Sequence, residues 1–212
     1  MAARKGAITR RSLNALETRN KLYSTAMMLF TKRGFDKVTV DDITRYAGVS
    51  KGTFYNHFST KEQVLVEQFN KIDNHYEQVF RRTKPDEPAS QRLLNFSDAM
   101  CEYCGEVWGL NMLKVVYINQ ISLGKRPDIL LRPERLFYTV LNDIIRQGRE
   151  SGEFTTDMSV EEQLYLFARS ARSALYEWCL HDAAFDLKDS ARKIFRLALA
   201  NVLAKPEDAR NC

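Results

Sequence analysis

The 212-residue chain predicts an all-α fold: an N-terminal three-helix head carrying a helix-turn-helix, then a larger C-terminal helical domain. Three observations carry that expectation. Apolar residues recur at helical spacing through most of the chain, and no alternating strand pattern competes with them. Between Thr39 and Thr60 the residues spell two short helices joined at Gly48. The second presents Lys, Thr, Tyr, Asn and His, a shape suited to the DNA major groove. The charge is also uneven: residues 1–60 hold 11 Lys and Arg against 4 Asp and Glu, whereas the remainder holds 21 against 23. A basic head on a near-neutral body is the footprint of phosphate binding.

Residues 1–16, with Arg4, Lys5, Arg10 and Arg11, are basic and polar and are expected to form a flexible arm. Such an arm either lies along the minor groove or serves as a solubilising tail. The head is expected over residues 17–63. Its first helix ends between Phe30 and Gly34. Thr39 is a good N-cap for the second helix, and Asp42 adds negative charge near the unpaired N–H groups of that helix's first turn. Val40, Ile43 and Ala47 then share one face. Gly48 suits the left-handed conformation that ends a helix. Ser50 can cap the third helix, which buries Val49, Phe54 and Phe58 and turns Lys51, Thr53, Tyr55, Asn56 and His57 outward. Thr60 and Gln63 form a capping-box pattern for a long fourth helix.

At these residues the chain resembles the DNA-binding domain of the TetR family of bacterial transcription regulators. The matching pattern is Phe30, Gly34, Thr39, Ile43, Gly48-Val49-Ser50, Gly52-Thr53, Tyr55, His57-Phe58, Lys61 and Leu65, covering roughly residues 18–66. Thr44 departs from it, standing where the family usually has alanine. The resemblance implies that Thr39, Val40 and Lys51 to His57 touch DNA. Lys51 and Asn56 are placed to read base edges, because ammonium and amide groups discriminate guanine or adenine in the major groove. Tyr55, His57 and Lys61 suit phosphate contacts that set register, with Arg45 a further candidate. Gly52 allows close backbone approach, and Thr53 completes the set.

The helical effector-binding and dimerisation domain is expected over residues 64–205. Leu65, Phe69, Ile72, Tyr76, Val79 and Phe80 stripe the fourth helix, from about Lys61 to Arg82, and Lys84 to Pro88 break it. Helices follow from about Ala89 to Tyr103 and from Glu106 to Leu123, with a turn at Gly124 to Pro127. Pro133 suits the first turn of the next helix, which ends near Gly148. Ser159 and Glu162 make a capping box for a helix reaching His181, and the last helix runs from after Asp186 to about Ala204.

The resemblance implies dimerisation through the final two helices, where Trp178 and Leu197 are the expected anchors. A homodimer also answers a physical need, since one short recognition helix buries too little surface to be specific alone. The central helices are rich in soft and aromatic side chains. Tyr103, Trp108, Met112, Tyr117, Phe137, Tyr138 and Trp178 are candidates to line an effector pocket, or else belong to plain core. Arg169 and Arg172 either meet an anionic effector or form salt bridges at the surface or dimer rim.

The expected function is a ligand-responsive regulator, a repressor binding a palindromic double-stranded operator as a homodimer and released by a small, largely apolar or aromatic effector. The alternative is a DNA-binding regulator without a small-molecule effector. An enzyme is not expected: no nucleophile motif or Gly-rich phosphate loop occurs, and the three histidines lie apart at 57, 75 and 181. No metal or cofactor is expected: Cys101 and Cys104 form a lone CxxC whose helical spacing suits buried small hydrophobes, with a redox switch as the alternative reading. Four cysteines without an export signal suggest reduced thiols in a cytoplasm, and no apolar run is long enough to span a membrane.

Overall fold

The computed structural model describes residues 9–82, 86–122 and 129–204, and divides into two compact units, Met1–Glu67 and Gln68–Cys212. Among the described residues every regular element is helical, apart from one isolated antiparallel bridge between Phe154 and Leu203. The first unit holds α1 (Arg10–Arg33), α2 (Val40–Ala47), α3 (Lys51–His57) and the start of α4 (Glu62–Arg82).

α1 begins earlier than the sequence suggests, so the expected arm over residues 1–16 is corrected: residues 10–16 are helical, and residues 1–8 lie outside the described residues. The start is set by a cap, with the Thr9 hydroxyl accepting from the Ser12 N–H, and not by a buried stripe. Leu13 and Leu16 in these first turns are exposed, so no apolar periodicity announces them. Further along, α1 buries Leu22, Ala26, Leu29 and Phe30 against Val38, Ile43, Phe54 and Phe58 in one small core.

Local chemistry then sets each boundary. α1 ends at Gly34, whose N–H reaches the Phe30 carbonyl at 2.9 Å. α2 carries a full capping box between Thr39 and Asp42, and stops at Gly48, whose φ of 64° is left-handed. α3 is capped by the Ser50 hydroxyl on the Thr53 N–H. The buried Thr44 hydroxyl bonds the carbonyls of Val40 and Asp41, so the core accepts threonine without an unpaired oxygen. At α4 the predicted Thr60–Gln63 box is displaced by one residue: the Gln63 side chain accepts from the Ser59 N–H at 2.8 Å.

The second unit contains the rest of α4, then α5 (Ala89–Glu102), a π-helical segment (Tyr103–Trp108), α6 (Gly109–Ser122), a 3-10 turn (Ile129–Leu131), α7 (Leu136–Glu150), α8 (Val160–Leu180) and α9 (Leu187–Val202). α5, α7, α8 and α9 pack on one another around Leu93, Phe96, Leu141, Ile144, Phe167 and Phe195. Arg192 of α9 grips Asp98 of α5 through two hydrogen bonds of 2.7 and 2.5 Å. A Cβ at Gly148 would lie 2.4 Å from the Phe154 ring, so glycine there is a packing requirement.

Several boundaries differ from the sequence reading. The predicted turn at Gly124 to Pro127 lies outside the described residues. Pro133 sits in a turn before α7, not in its first helical turn; Arg135 precedes the helix in extended conformation while its side chain is held by Asp73. α9 stops at Val202, because residues 202–204 turn their backbone to the 153–155 segment: the Thr155 N–H reaches the Val202 carbonyl at 2.7 Å. α8 carries the predicted Ser159–Glu162 box. Trp178 does not serve as an exposed dimer anchor: it is buried, and its Nε1–H donates to the Phe185 carbonyl at 3.1 Å. Leu197 by contrast is 70% exposed on α9.

Candidate DNA-binding surface and ligand cavity

The first unit presents α3 as a short polar face on an aromatic support. Phe54 and Phe58 are buried, while Lys51, Gly52, Tyr55 and Asn56 are exposed and Thr53 and His57 are half-buried. Asn56 makes no side-chain hydrogen bond among the described residues. Lys51 pairs with Asp41 at 3.0 Å, a contact that raises its pKa. Thr39 is exposed at the head of α2 and Val40 is half-buried beside it. Arg45 is exposed and bonds Asp42 at 2.5 Å.

Lys61 has a structural part. Its ammonium donates to the carbonyls of Phe35 and Val38 at 2.9 and 3.0 Å and lies over the Phe35 ring, which fixes the loop between α1 and α2. Arg19 does similar work at the other end of α3: it bonds the His57 carbonyl at 2.7 Å and Glu67 at 2.8 Å. Arg33 stacks on Tyr46 and donates to its hydroxyl at 2.6 Å, adding a cationic, aromatic patch beside α2. The charge count points to this region, but no spacing rule singles out Arg19, Arg33 or Tyr46.

In the second unit a cavity of about 40 Å³ lies among α4, α5, the π segment, α6, α7 and α8. Its wall is mostly apolar and aromatic, as ligand sites are. Of the predicted effector residues, Trp108, Tyr117, Phe137 and Arg172 line it, whereas Tyr103, Met112, Tyr138, Arg169 and Trp178 do not. The reasons are specific. Tyr103 stacks on His75 at 4.8 Å. Met112 is simply buried. Tyr138 donates to the Leu130 carbonyl and accepts from Arg172 at 2.8 Å, standing behind the wall. Arg169 faces solvent over the Tyr165 ring. Trp178 is held by Phe185.

The wall also includes Phe69, Ile72 and Tyr76 of α4 and a residue that sequence reasoning missed, Arg135. Its guanidinium makes a two-pronged bond to Asp73, at 2.6 and 3.1 Å, with both side chains about nine-tenths buried. It also lies over the Phe69 and Phe137 rings. The partners are 62 residues apart and no local pattern joins them. The aromatic hydroxyls stay neutral: burial raises the pKa of Tyr117, and that of Tyr76 well above its usual value. Cys101, Cys104 and Cys179 are free buried thiols. Burial pushes Cys101 up to about 12 and Cys179 to about 11, so neither is a thiolate near neutrality. Among the described residues no cluster of three or more His, Cys, Asp or Glu could hold a metal, and no helix is long and apolar enough to cross a membrane.

Residues 22–67 match the family described as bacterial regulatory proteins, tetR family, and residues 121–201 match the C-terminal region of YsiA-like proteins. The transcriptional repressor DhaR of Mycobacterium sp. strain GP1 is 30% identical over 145 residues, 66% of this chain and 72% of that protein. The fatty acid metabolism regulator protein of Bacillus subtilis is 22% identical over 186 residues, covering 86% and 94% of the two chains. Thermus thermophilus FadR, a TetR family transcriptional repressor solved in complex with lauroyl-CoA, has a TM-score of 0.65 at 22% identity, covering 88% of this chain and 96% of that one. The capped three-helix head and these matches define a helix-turn-helix DNA-binding regulator of transcription. The chain belongs to the TetR family.

The α2 cap has a pH signature. The Thr39 hydroxyl, and then its N–H, hold the Asp42 carboxyl below the usual carboxylate range. A lowered folded pKa gives a contribution that is complete above the ordinary carboxylate pKa and is lost as pH falls through the lowered value. Thr39→Ala is expected to reduce unfolding free energy by about 1 kcal/mol at neutral pH. The loss should shrink in acid, where the carboxyl half of the box is already gone. Urea melts of both proteins at about pH 7 and about pH 2 check this; an equal loss at both pH values contradicts the role of the box.

Proposed function

We propose that the protein is a homodimeric repressor that binds a palindromic operator through α3 and is released by a fatty acyl-CoA thioester. The observation that carries the DNA-reading part is the exposed Lys51, Tyr55 and Asn56 face on a helix capped at Ser50 and anchored by Phe54 and Phe58. In this reading Asn56 and Lys51 contact base edges, Lys51 exchanging Asp41 for DNA. Tyr55, His57, Thr39, Arg45 and the N–H groups near Gly52 and Thr53 position the phosphates, Val40 packs beside them, and Lys61 acts mainly by holding the loop that presents α2.

The acyl ligand is supported by the aromatic and aliphatic wall of the cavity. It is also supported by similarity to a fatty acid metabolism regulator and to a repressor solved with lauroyl-CoA. Arg172 bonds Tyr138 and no carboxylate among the described residues, which suits a ligand that carries negative charge. A cavity of about 40 Å³ holds only a water or two. A twelve-carbon chain therefore enters as the surrounding helices part. That requirement is what gives ligand binding a conformational consequence, since a ligand shifts an equilibrium only by its preference for one state. α4 contributes residues up to Glu67 to the head and Phe69, Ile72 and Tyr76 to the cavity wall, so both functions draw on the same helix.

Dimerisation through α8 and α9 is supported by apolar groups that the chain leaves exposed there, among them Leu180 at 59% and Leu197 at 70%. Small residues of the same helices, including Ala168, Ala171 and Ala174, are already buried within the chain, so the interface is narrower than the full stripes suggest. Leu197→Glu places a charge in that contact and is expected to yield monomers by light scattering at micromolar concentration. A soluble, fully dimeric variant would move the interface elsewhere.

Operator binding should weaken steeply with salt, by about a thousandfold between about 50 and 200 mM if six phosphates are neutralised. Asn56→Ala should cut discrimination at particular base pairs by about 1–3 kcal/mol while leaving the salt slope unchanged. Fluorescence anisotropy on an operator selected from random duplexes reads both. A flat salt plot, or unaltered discrimination in the variant, contradicts the assignment of α3 as the reading element.

A further inference from the structure

We propose that Trp108 is the specificity residue of the cavity: its indole Nε1–H donates a hydrogen bond to the thioester carbonyl oxygen of the bound acyl-CoA. The proposal rests on the acyl-ligand reading above and adds the contact that distinguishes a thioester from a plain hydrocarbon chain.

Trp108 lines the cavity and is 9% exposed, and its Nε1 is buried with no hydrogen-bond partner. A buried donor without an acceptor is destabilising and rare, so a native one calls for a partner that the chain does not itself supply. The other indole shows that this is not how the fold treats tryptophan in general: Trp178 donates to the Phe185 carbonyl at 3.1 Å. Nor is it how the rest of the cavity wall behaves. Arg135 is matched to Asp73, the Tyr117 hydroxyl donates to the Arg172 carbonyl at 3.1 Å, and Arg172 donates to Tyr138. Each of these groups has a partner within the chain, and the Trp108 N–H has none.

The backbone at this point is also unusual. Trp108 is the last residue of the π-helical segment Tyr103–Trp108, and Gly109 after it has φ of 71°. π-helical turns are less stable than α-helical ones and concentrate at functional sites. Here the turn separates α5 from α6 and sets the register at which the indole meets the cavity. Its ring is fixed by an edge contact to Phe69 at 5.4 Å, so the donor is held in place before any ligand arrives.

The ligand presents the complementary need. An acyl chain in this cavity requires no polar partner, but its thioester carbonyl, once drawn out of water, requires a donor. An oriented, unpaired indole N–H supplies one without introducing charge.

The test compares lauroyl-CoA with its thioether analogue S-dodecyl-CoA, which has the same chain length and lacks the carbonyl oxygen. Each is titrated calorimetrically into the full-length wild type and into Trp108→Phe, which keeps an aromatic ring and removes the donor. The wild type is expected to bind the thioester about five- to tenfold more tightly than the thioether, and the variant to bind both alike. Equal binding of the two probes by the wild type overturns the contact while leaving the acyl-ligand reading intact, and this holds even if the variant fails to fold. A variant that retains the full preference also overturns it. If neither probe binds the wild type, the acyl-ligand reading falls and takes this contact with it.

Discussion

A helix of seven residues has no stability of its own in water, so α3 exists only because its surroundings hold it. That constraint organises the head. Ser50 satisfies the first turn, and the left-handed Gly48 ends α2 two residues earlier so that the chain can turn into α3. Phe54 and Phe58 sink into the core formed with α1 and α2. At the far end the Arg19 guanidinium takes up the His57 carbonyl, one of those a helix end leaves unpaired. Arg19 also lies over the Phe58 ring, joining the charged and aromatic halves of the support. With these contacts made, the outer face of α3 is left to polar side chains, Lys51, Tyr55 and Asn56 among them, and it is there that the proposed DNA contacts fall.

The parts of this arrangement that were legible in the sequence are those whose partners lie within a few residues. Thr39 with Asp42, Ser50 with Thr53 and Ser159 with Glu162 are separated by three positions, so the chain order itself states the contact. Partners distant in sequence were hidden. Lys61 fits the DNA-binding pattern, and nothing local reveals that its ammonium is drawn to carbonyls 26 and 23 residues back. The pairing of Asp73 with Arg135 was invisible for the same reason. The start of α1 was missed for a different one: its first turns bury nothing, so the only signal is the Thr9 cap.

The cavity shows the limit most sharply. Trp108 and Trp178 both sit on apolar helical stripes and look alike to periodicity, yet one lines the cavity and the other is held by a carbonyl from the loop after α8. Which side of a buried helix faces a void depends on neighbours that arrive from elsewhere in the chain. Arg135 and Asp73 carry a further implication. A buried ion pair contributes little net stability compared with apolar packing, but removing one partner alone is costly. Its place in the wall means that a ligand opening the cavity must keep the pair intact or replace one partner with its own charge. On the proposed reading, ligand entry is tied to a discrete rearrangement and not to gradual swelling of the core.

The central claim is that occupancy of the cavity and binding of DNA are thermodynamically linked. The most direct measurement is the dissociation constant of the wild-type protein for its selected operator, with and without saturating lauroyl-CoA at fixed salt. Operator binding is expected to be weaker by about ten- to a hundredfold when the ligand is bound, the usual size of a coupling between two sites. Lauroyl-CoA that binds the protein and leaves operator affinity unchanged would contradict it.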